Sequence, residues 1–345
     1  MSDLPRAMPA IIATVVYFLQ MPSPPPAVTV VVASRNRSNL LPRLVRALEA
    51  QVGAPPFEVV IVDDASTDDT PSVLASLAAS SSVSVHALRH DHRRGPGPAR
   101  NAGWRVGRAE RILFTDDDCT PRPSWVAELA ASLEDHDLVQ GATTPAPDQL
   151  SQQGTFSRTL EVSEATGFFQ TCNMGFRRSA LEGADGFDEA FDHPAGEDTD
   201  LALRCLAAGA SFEFCPAAIV EHDVRPSSLV AAVRDTWRWQ GVVGVVKKHP
   251  AILERLGSRW FWKPSHPPLL LAAMGLLVLA AGQGPLARGL GLALTGPYLR
   301  YRLLVDPVHP SKAGRIRYLG HAAAVDAGEV VAMARGSMRY RRLYL

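Results

Sequence analysis

The sequence predicts an α/β fold: a mostly parallel sheet flanked by helices, followed by an apolar helical C-terminal segment. Three observations carry this. Short apolar runs, Val28 to Ser34, Phe57 to Val62 and Ile112 to Phe114, have the unbroken character of strands buried on both faces. Stretches with helical spacing separate them, so the strands are joined by right-handed crossovers rather than hairpins. Each run ends in polar residues: Ser34-Arg35-Asn36, Asp63-Asp64 and Asp116-Asp117-Asp118. In such sheets ligands bind beyond the carboxyl ends of the strands, so three polar clusters at one edge predict a ligand site.

The 345 residues allow one large α/β domain with an appendage, or two domains. Lysine plus arginine equals aspartate plus glutamate, 35 each, so no global field attracts nucleic acid. Four cysteines at no zinc-like or disulfide-framework spacing fit a reducing cytosol. The reading divides the chain into an arm and proline-rich linker (1–26), the α/β domain (27–225), a helical region (226–263), and an apolar hairpin with a basic amphipathic tail (264–345). The arm faintly resembles a signal peptide, but its apolar part is short and prolines follow without a cleavage site. It is expected to be a loose or membrane-touching segment.

In chain order, the strand 28–34 leads through Arg35-Asn36-Arg37 to a helix marked by Leu40, Leu41, Leu44, Val45 and Leu48. The second strand ends at Asp63-Asp64. Thr70 is expected as the N-cap of a helix over 71–79 opened by Pro71. A third strand, 83–88, enters a basic glycine-proline loop, and a helix follows from about Ala99. The strand carrying the aspartates comes next. Alternation along it puts Asp116 and Asp118 on one side and Asp117 on the other. A strand over 137–141, a polar connection over 143–170 and a helix over 199–208 follow. Two short strands, 211–214 and 218–221, then deliver His222.

Three adjacent carboxylates repel, and a divalent cation resolves that: oxygen ligands suit Mg²⁺ or Mn²⁺, shared with substrate phosphates. The triplet alone fits equally an acidic turn, with Asp118 or Thr120 capping a helix near Pro123. Asp64 can accept an N–H from uracil, thymine or guanine, while one of the two neighbouring aspartates is expected to serve the turn. Arg100, expected in the first turn of its helix, suits a diphosphate; a solvated basic loop is the alternative. Taken alone, Glu197 and Asp198 read as the start of a capped helix with favourable dipole charges. His222 reads as a metal ligand or as a surface imidazole.

Together these stretches resemble the family 2 glycosyltransferases of the GT-A fold. The resemblance rests on Val62-Asp-Asp-Ala-Ser-Thr-Asp68, Gly95-x-x-x-Ala-Arg-Asn101-Ala-Gly103 and Phe114-Thr-Asp-Asp-Asp118. It continues through Asn173-Met-Gly-Phe-Arg-Arg178, Gly186-Phe-Asp-Glu189 and Gly196-Glu-Asp-Thr-Asp-Leu201, six stretches in family order across about 28–225. It implies a Rossmann-like sheet and an inverting transfer from a nucleotide-diphosphate sugar (UDP-, dTDP- or GDP-linked). Asp116 and Asp118 correspond to the DxD motif, with Asp118 the more direct metal ligand. Ala33, Arg35, Asp64, Arg100, Asp116 and Asp117 fall on the donor side. Asp198 corresponds to the catalytic base, with Glu197 beside it, and His222 to a further metal ligand. Arg35 stands where relatives carry an aromatic residue, and Asp185 replaces the first glycine of a common Gly-Gly-Phe-Asp.

Beyond residue 225, Ser227 to Lys248 has a long helical pattern. Asn173, Trp237, Arg238 and Trp239 are candidates for contacting a glycan or lipid-linked acceptor; core packing explains the tryptophans equally. Leu269 to Ala281 would span only about 20 Å as a helix, short of a ~30 Å hydrocarbon core. With Leu286 to Leu304 it predicts a re-entrant or tightly turned pair held at the cytoplasmic face of a membrane, or a buried hairpin closing the soluble domain. The arginine-aromatic tail fits an anionic lipid surface. Cell-envelope glycan or glycolipid synthesis is the expected setting. A nucleotidyltransferase shares the sheet and metal but has no use for Glu197-Asp198, and an inactive binding scaffold has no use for intact carboxylates.

Overall fold

The computed structural model describes residues 25–345 apart from 192, 193, 257, 307, 308 and 310; the expected arm, up to residue 24, lies outside the described residues. The first half alternates β1 (Val28–Ser34), α1 (Leu41–Glu49), β2 (Phe57–Asp63), α2 (Thr70–Ser80), β3 (Ser84–Arg89), α3 (Pro96–Val106) and β4 (Arg111–Asp116). It continues with β5 (Cys119–Pro121), α4 (Trp125–Ser132), β6 (Leu138–Pro145), β7 (Asn173–Arg177), α5 (Arg178–Gly183), α6 (Glu197–Ala207) and β8 (Phe212–His222).

All eight strands form one sheet in the order β3-β2-β1-β4-β7-β6-β8-β5. The first four are parallel, as expected. The rest is mixed, because β7 runs antiparallel to both β4 and β6 and β5 runs antiparallel to β8. Valines of β1 and β2 alternate between two cores. Val30, Val32, Val59 and Ile61 pack with Leu44, Leu48, Trp125 and Leu129 on one face. Val31 packs with Phe114, Phe176, Phe187 and Leu201 on the other. Register levels the strand ends: Ser34 lies opposite Asp63, and Ala33 opposite both Val62 and Asp116.

Several boundaries differ from expectation for local reasons. Thr70 is inside α2; its Oγ1 accepts from Arg37 N at 2.9 Å, and Asp68 accepts from Thr70 N at 3.1 Å. Ser124, not Asp118 or Thr120, precedes α4. The two expected strands near His222 are one, because the β6 register jumps from Cys215 to Ile219 at a bulge that absorbs Pro216.

The C-terminal layer holds α7 (Leu229–Asp235), α8 (Gln240–Lys248), α9 (Leu253–Leu256), α10 (His266–Ala281), α11 (Pro285–Arg300) and α12 (Lys312–Tyr340). The single helix expected over 227–248 is broken by a 3₁₀ turn, Thr236–Trp239. α10 and α11 form the expected tight pair, closing so far that a Cβ on Gly275 would meet the Gly291 carbonyl at 2.6 Å. Among the described residues no helix is long and apolar enough to cross a membrane.

The tail corrects an expectation. α12 lies across α7 and α8, and Met333 and Tyr344 are buried with Phe191, Val243 and Val246. Leu345 N donates to the Trp260 carbonyl at 2.7 Å, and Trp262 N donates to Leu345 O at 2.5 Å. The chain end is therefore woven into the core, and residues after 260 are not separable from the layer that covers α6.

Candidate active site

The three aspartates do not alternate as a strand would. β4 stops at Asp116, and the chain turns through Asp117-Asp118 into β5, so the carboxylates radiate toward three cationic partners. Arg100 Nη2 reaches Asp116 at 2.8 Å, Arg37 Nε reaches Asp117 at 3.3 Å, and Arg225 Nη2 reaches Asp118 at 2.5 Å. Burial, then the adjacent Asp118 charge, push the Asp117 carboxyl up to about 7 against the pull of Arg37. Asp117 and Asp118 are nearly equally covered, with 11 % and 15 % of their side-chain surface open, while Asp116 keeps 31 %.

Arg100 joins this edge to α6. It is buried, pairs with Asp116, and reaches Glu197 Oε1 at 3.3 Å through Nη1. Burial alone would lower its pKa, but the carboxylates of Asp116, Asp198 and Glu197 outweigh that and raise it. The expectation of Arg100 in the first turn of its helix is corrected: α3 starts at Pro96, and Pro96 and Pro98 remove two of the free N–H groups a diphosphate would use. Arg100 acts as a tie between two carboxylate elements.

Glu197 and Asp198 open α6, behind Gly196 at φ +101°. A Cβ there would lie 2.7 Å from Val245 Cγ2, so only glycine fits. The neighbours differ sharply. Glu197 is buried, and burial followed by the Asp198 charge pushes its carboxyl well up, with Arg100 opposing. Asp198 is half-buried; its Oδ2 accepts from Thr171 N and Thr171 Oγ1, each at 3.1 Å, and no hydrogen bond reaches Oδ1 among the described residues.

At the ends of β1 and β2, Asp63 serves the turn, accepting from Ser66 N at 2.9 Å and pairing with Arg89. Asp64 holds the following loop: Oδ1 accepts from His90 Nδ1 at 2.9 Å and Arg94 N at 2.8 Å, and Oδ2 from Gly95 N at 2.8 Å. Burial opposes its charge, but these donors outweigh it and lower its pKa. One acceptor position on Oδ2 stays open. Asn36 and Ala65 take left-handed conformations where β1 and β2 turn, both at φ 55°, locked by Asn36 N to Ser66 Oγ at 2.8 Å. Arg35 is half-buried between them and makes no ion pair among the described residues; its Nε is buried without a partner.

His222 ends β8, paired across from Cys119. Its Nδ1 lies 2.9 Å from the Asp223 carbonyl, which can only accept, so Nδ1 carries a proton, and Nε2, 3.8 Å from Asp118, is the nitrogen placed to ligate in the neutral ring. Cys119 is the third potential ligand within 4.8 Å, but the Cys172 contact and burial push its thiol well up, leaving it protonated. One carboxylate and one imidazole form a donor set that fits a divalent cation.

The acceptor-side candidates separate. Asn173 is withdrawn: it is buried, Oδ1 accepts from Trp125 Nε1 at 2.8 Å, and Nδ2 donates to the Ala142 and Ala218 carbonyls. Trp239 packs against Trp262 at 5.6 Å. Trp237 is 40 % exposed beneath Arg335, and Arg238 sits over Trp239 at 4.4 Å. Sequence reasoning passed over Arg37, His90, Thr171 and Arg225. The spacing His222-x-x-Arg225 at a strand end was the available signal for the last. Asp185 adopts φ 57°, a left-handed conformation that glycine would take without strain.

Residues 29–183 match the family model Glycosyl transferase family 2, and residues 111–296 match Glycosyl transferase family group 2. The chain is similar to the Pre-mycofactocin glycosyltransferase of Mycobacterium tuberculosis, 27% identical over 237 residues, 65% of this chain and 48% of that protein. It is also similar to the Succinoglycan biosynthesis protein ExoO of Rhizobium meliloti, 32% identical over 228 residues, 61% of this chain and 64% of that protein. The chain thus spans about half of the first relative's length and under two thirds of the second's. A solved structure, mannosyltransferase PcManGT from Pyrobaculum calidifontis in complex with GDP-Man and Mn2+, superposes with a TM-score of 0.61 at 21% identity, covering 90% of this chain and 88% of that one. This likeness shows the GT-A fold.

Proposed function

The chain belongs to the family 2 glycosyl transferases, and from that premise we propose that it moves a sugar from a nucleotide-diphosphate donor to an acceptor hydroxyl with inversion. The observation that carries the reading is the contrast at the start of α6. Glu197 is buried against Arg100, whereas Asp198 is half-buried and, among the described residues, its hydrogen bonds are those from Thr171 to Oδ2. In a single displacement the acceptor oxygen bonds the anomeric carbon as the nucleoside diphosphate leaves, and Asp198 Oδ1 takes the hydroxyl proton. Ala33, Arg35 and Asp64 frame the nucleoside end. Asp118 and His222 would hold Mg²⁺ or Mn²⁺, which when bound offsets charge on the leaving diphosphate. Arg100 holds Asp116 and Glu197 in place.

Relatives named for a glycan pathway, such as the succinoglycan protein, support a place in cell-envelope glycan or glycolipid synthesis. The hairpin of α10 and α11 supports a membrane setting at the cytoplasmic face: Met274, Leu276, Leu277, Leu286 and Leu292 are all exposed, and Trp260 flanks them at 58 % exposure. Liposome flotation of the full chain checks this, and indifference to liposomes overturns it.

The chemistry is tested with Asp198→Asn. A thermal-shift screen of UDP-, dTDP- and GDP-sugars with and without Mn²⁺ identifies the donor. Donor affinity should then stay within about twofold while transfer falls by about 10² or more. Transfer near the unmodified rate would place the base elsewhere.

A further inference from the structure

A basic cavity opens at Arg225, the ion-pair partner of Asp118. It encloses about 250 Å³, and its charged lining is Arg158, Arg225, Arg234 and Asp235. At about 30 Å³ per water that is space for roughly eight waters, enough for a tetrahedral oxyanion and the atoms attached to it.

The cavity is short of negative charge. Asp235 is already paired with Arg158 at 2.9 Å, and Arg238 shares it at 3.7 Å. Arg225 spends one nitrogen, Nη2, on Asp118 and has further N–H donors. Arg234 is exposed and has no ion pair or side-chain hydrogen bond among the described residues. Arg238 Nε is buried without an acceptor. Burial lowers the Arg238 pKa, and the Asp235 carboxylate only partly opposes this.

The arginines are also held in place rather than scattered. Arg158 and Arg225 exchange backbone hydrogen bonds, Arg158 N to Arg225 O at 2.8 Å and Arg225 N to Arg158 O at 2.9 Å. This bridge ties the connection after β6 to the segment after β8. The cavity meets the aspartate edge through Arg225, which bonds Asp118; Arg238, outside the lining but sharing Asp235 with Arg158, lies in the field of Glu197 and Asp198. Its lining includes no residue of β1, β2 or α3, the elements that frame the nucleotide.

We propose that this cavity seats a phosphate group carried by the acceptor, placing the acceptor between Asp118 and Asp198. Paired guanidinium groups are the chemistry that recognises such an oxyanion. The word acceptor rests on the transferase reading; the anion site does not.

The test is calorimetric titration of the full chain with inorganic phosphate. Arg234→Gln removes a charge that supports no described contact, so the fold should be untouched. It should weaken phosphate binding about tenfold with an unchanged unfolding temperature, and Arg158→Gln should do likewise. With UDP or GDP saturating in Mg²⁺, phosphate should bind as before. Phosphate that fails to bind, or binds both variants as tightly as it binds the unmodified chain, overturns the proposal. Displacement of phosphate by UDP and GDP assigns the cavity to the donor and also overturns it. Absence of any nucleotide binding would sink the transferase reading instead, while the phosphate titration still decides whether the cavity is an anion site.

Discussion

Two regions of this molecule gather carboxylates and cations, and they do so for different ends. At the sheet edge, Asp116 and Asp118 each meet one arginine and stay partly open. In the C-terminal layer, Asp326 and Glu329 on α12 are sealed. Asp326 accepts from Tyr298 Oη at 2.7 Å, Arg302 Nε at 3.0 Å and Ser265 Oγ at 3.2 Å. Glu329 accepts from Lys263 Nζ at 2.7 Å and lies 3.3 Å from His266 Nε2. His266, Asp326 and Glu329 have ligand atoms within 4.8 Å of one another, as a metal site would. Arg302 and Lys263 already balance both charges, and Asp326 is 1 % exposed. The helical cluster is a clamp fastening the α10–α11 pair to α12. Access to solvent distinguishes a site from a clamp here, because residue types alone do not.

The largest effect should come from treating the C-terminal layer as detachable. A chain ending before Trp260 loses Met333 and Tyr344 from the core shared with Phe191, Val243 and Val246. At about 1.5–3 kcal/mol per large buried side chain, and more for the lost backbone pairing, its unfolding temperature should drop by about 10 °C or more. A truncated chain that melts like the full one would show the layer to be an appendage after all. Asp326→Ala comes next. It removes the acceptor of Tyr298 and leaves Arg302 with Asp306 alone as an ion-pair partner among the described residues, and should cost up to about 3–5 kcal/mol in chemical denaturation, the penalty for breaking a buried pair. A loss below about 1 kcal/mol would mean the clamp is solvated.

The two regions were unequally legible in the sequence. β1 was readable to the residue, because Val28 to Val32 buries both faces and leaves no competing period. The roles of the three aspartates were not, since Arg37 and Arg225 lie 80 and 107 residues away from their partners. Periodicity sees only one chain segment at a time. α12 was missed as a helix for another reason. Its buried stripe runs Gly314, Ala322, Asp326, Glu329, Ala332, Met333 and Gly336, so the inward face is small and acidic rather than apolar. The hydrophobic period that reports a helix is absent where a clamp replaces it. Tyr344 looked like a membrane-surface aromatic because nothing local tells it that Trp260 and Trp262 wait across the fold.

A smaller effect separates Glu197 from Asp198 within the sheet region. Glu197→Gln keeps the shape beside Arg100 and replaces the acidic group that ties Arg100 to α6 with a neutral amide. Transfer should fall about tenfold, far less than in Asp198→Asn, with donor affinity nearly unchanged. Equal losses in the two variants would move the base to Glu197.

The smallest effect lies at the opposite end of the same strands, where Glu58 on β2 is buried without any functional neighbour. It accepts from Thr29 Oγ1 at 2.9 Å and from Arg108 through N at 2.6 Å, Nε at 3.0 Å and Nη2 at 2.9 Å. Burial would raise its pKa, but His86, the Arg108 amide, Thr29 and the Arg108 side chain outweigh that and lower it from 4.5 to about 2. A carboxylate with a depressed folded-state pKa stabilises the fold above its unfolded value and loses that contribution as pH falls through the folded value. The window is therefore pH 4.5 down to 2. The Arg108 side chain is 54 % exposed, so screening trims the contribution to about 1–2 kcal/mol. Denaturation at pH 7 should find Glu58→Gln less stable by that amount, and the gap should close between pH 4.5 and 2. A constant gap across that range would show that Glu58 acts through packing and hydrogen bonding alone, which would set it apart from the charge-dependent edge at the other end of the sheet.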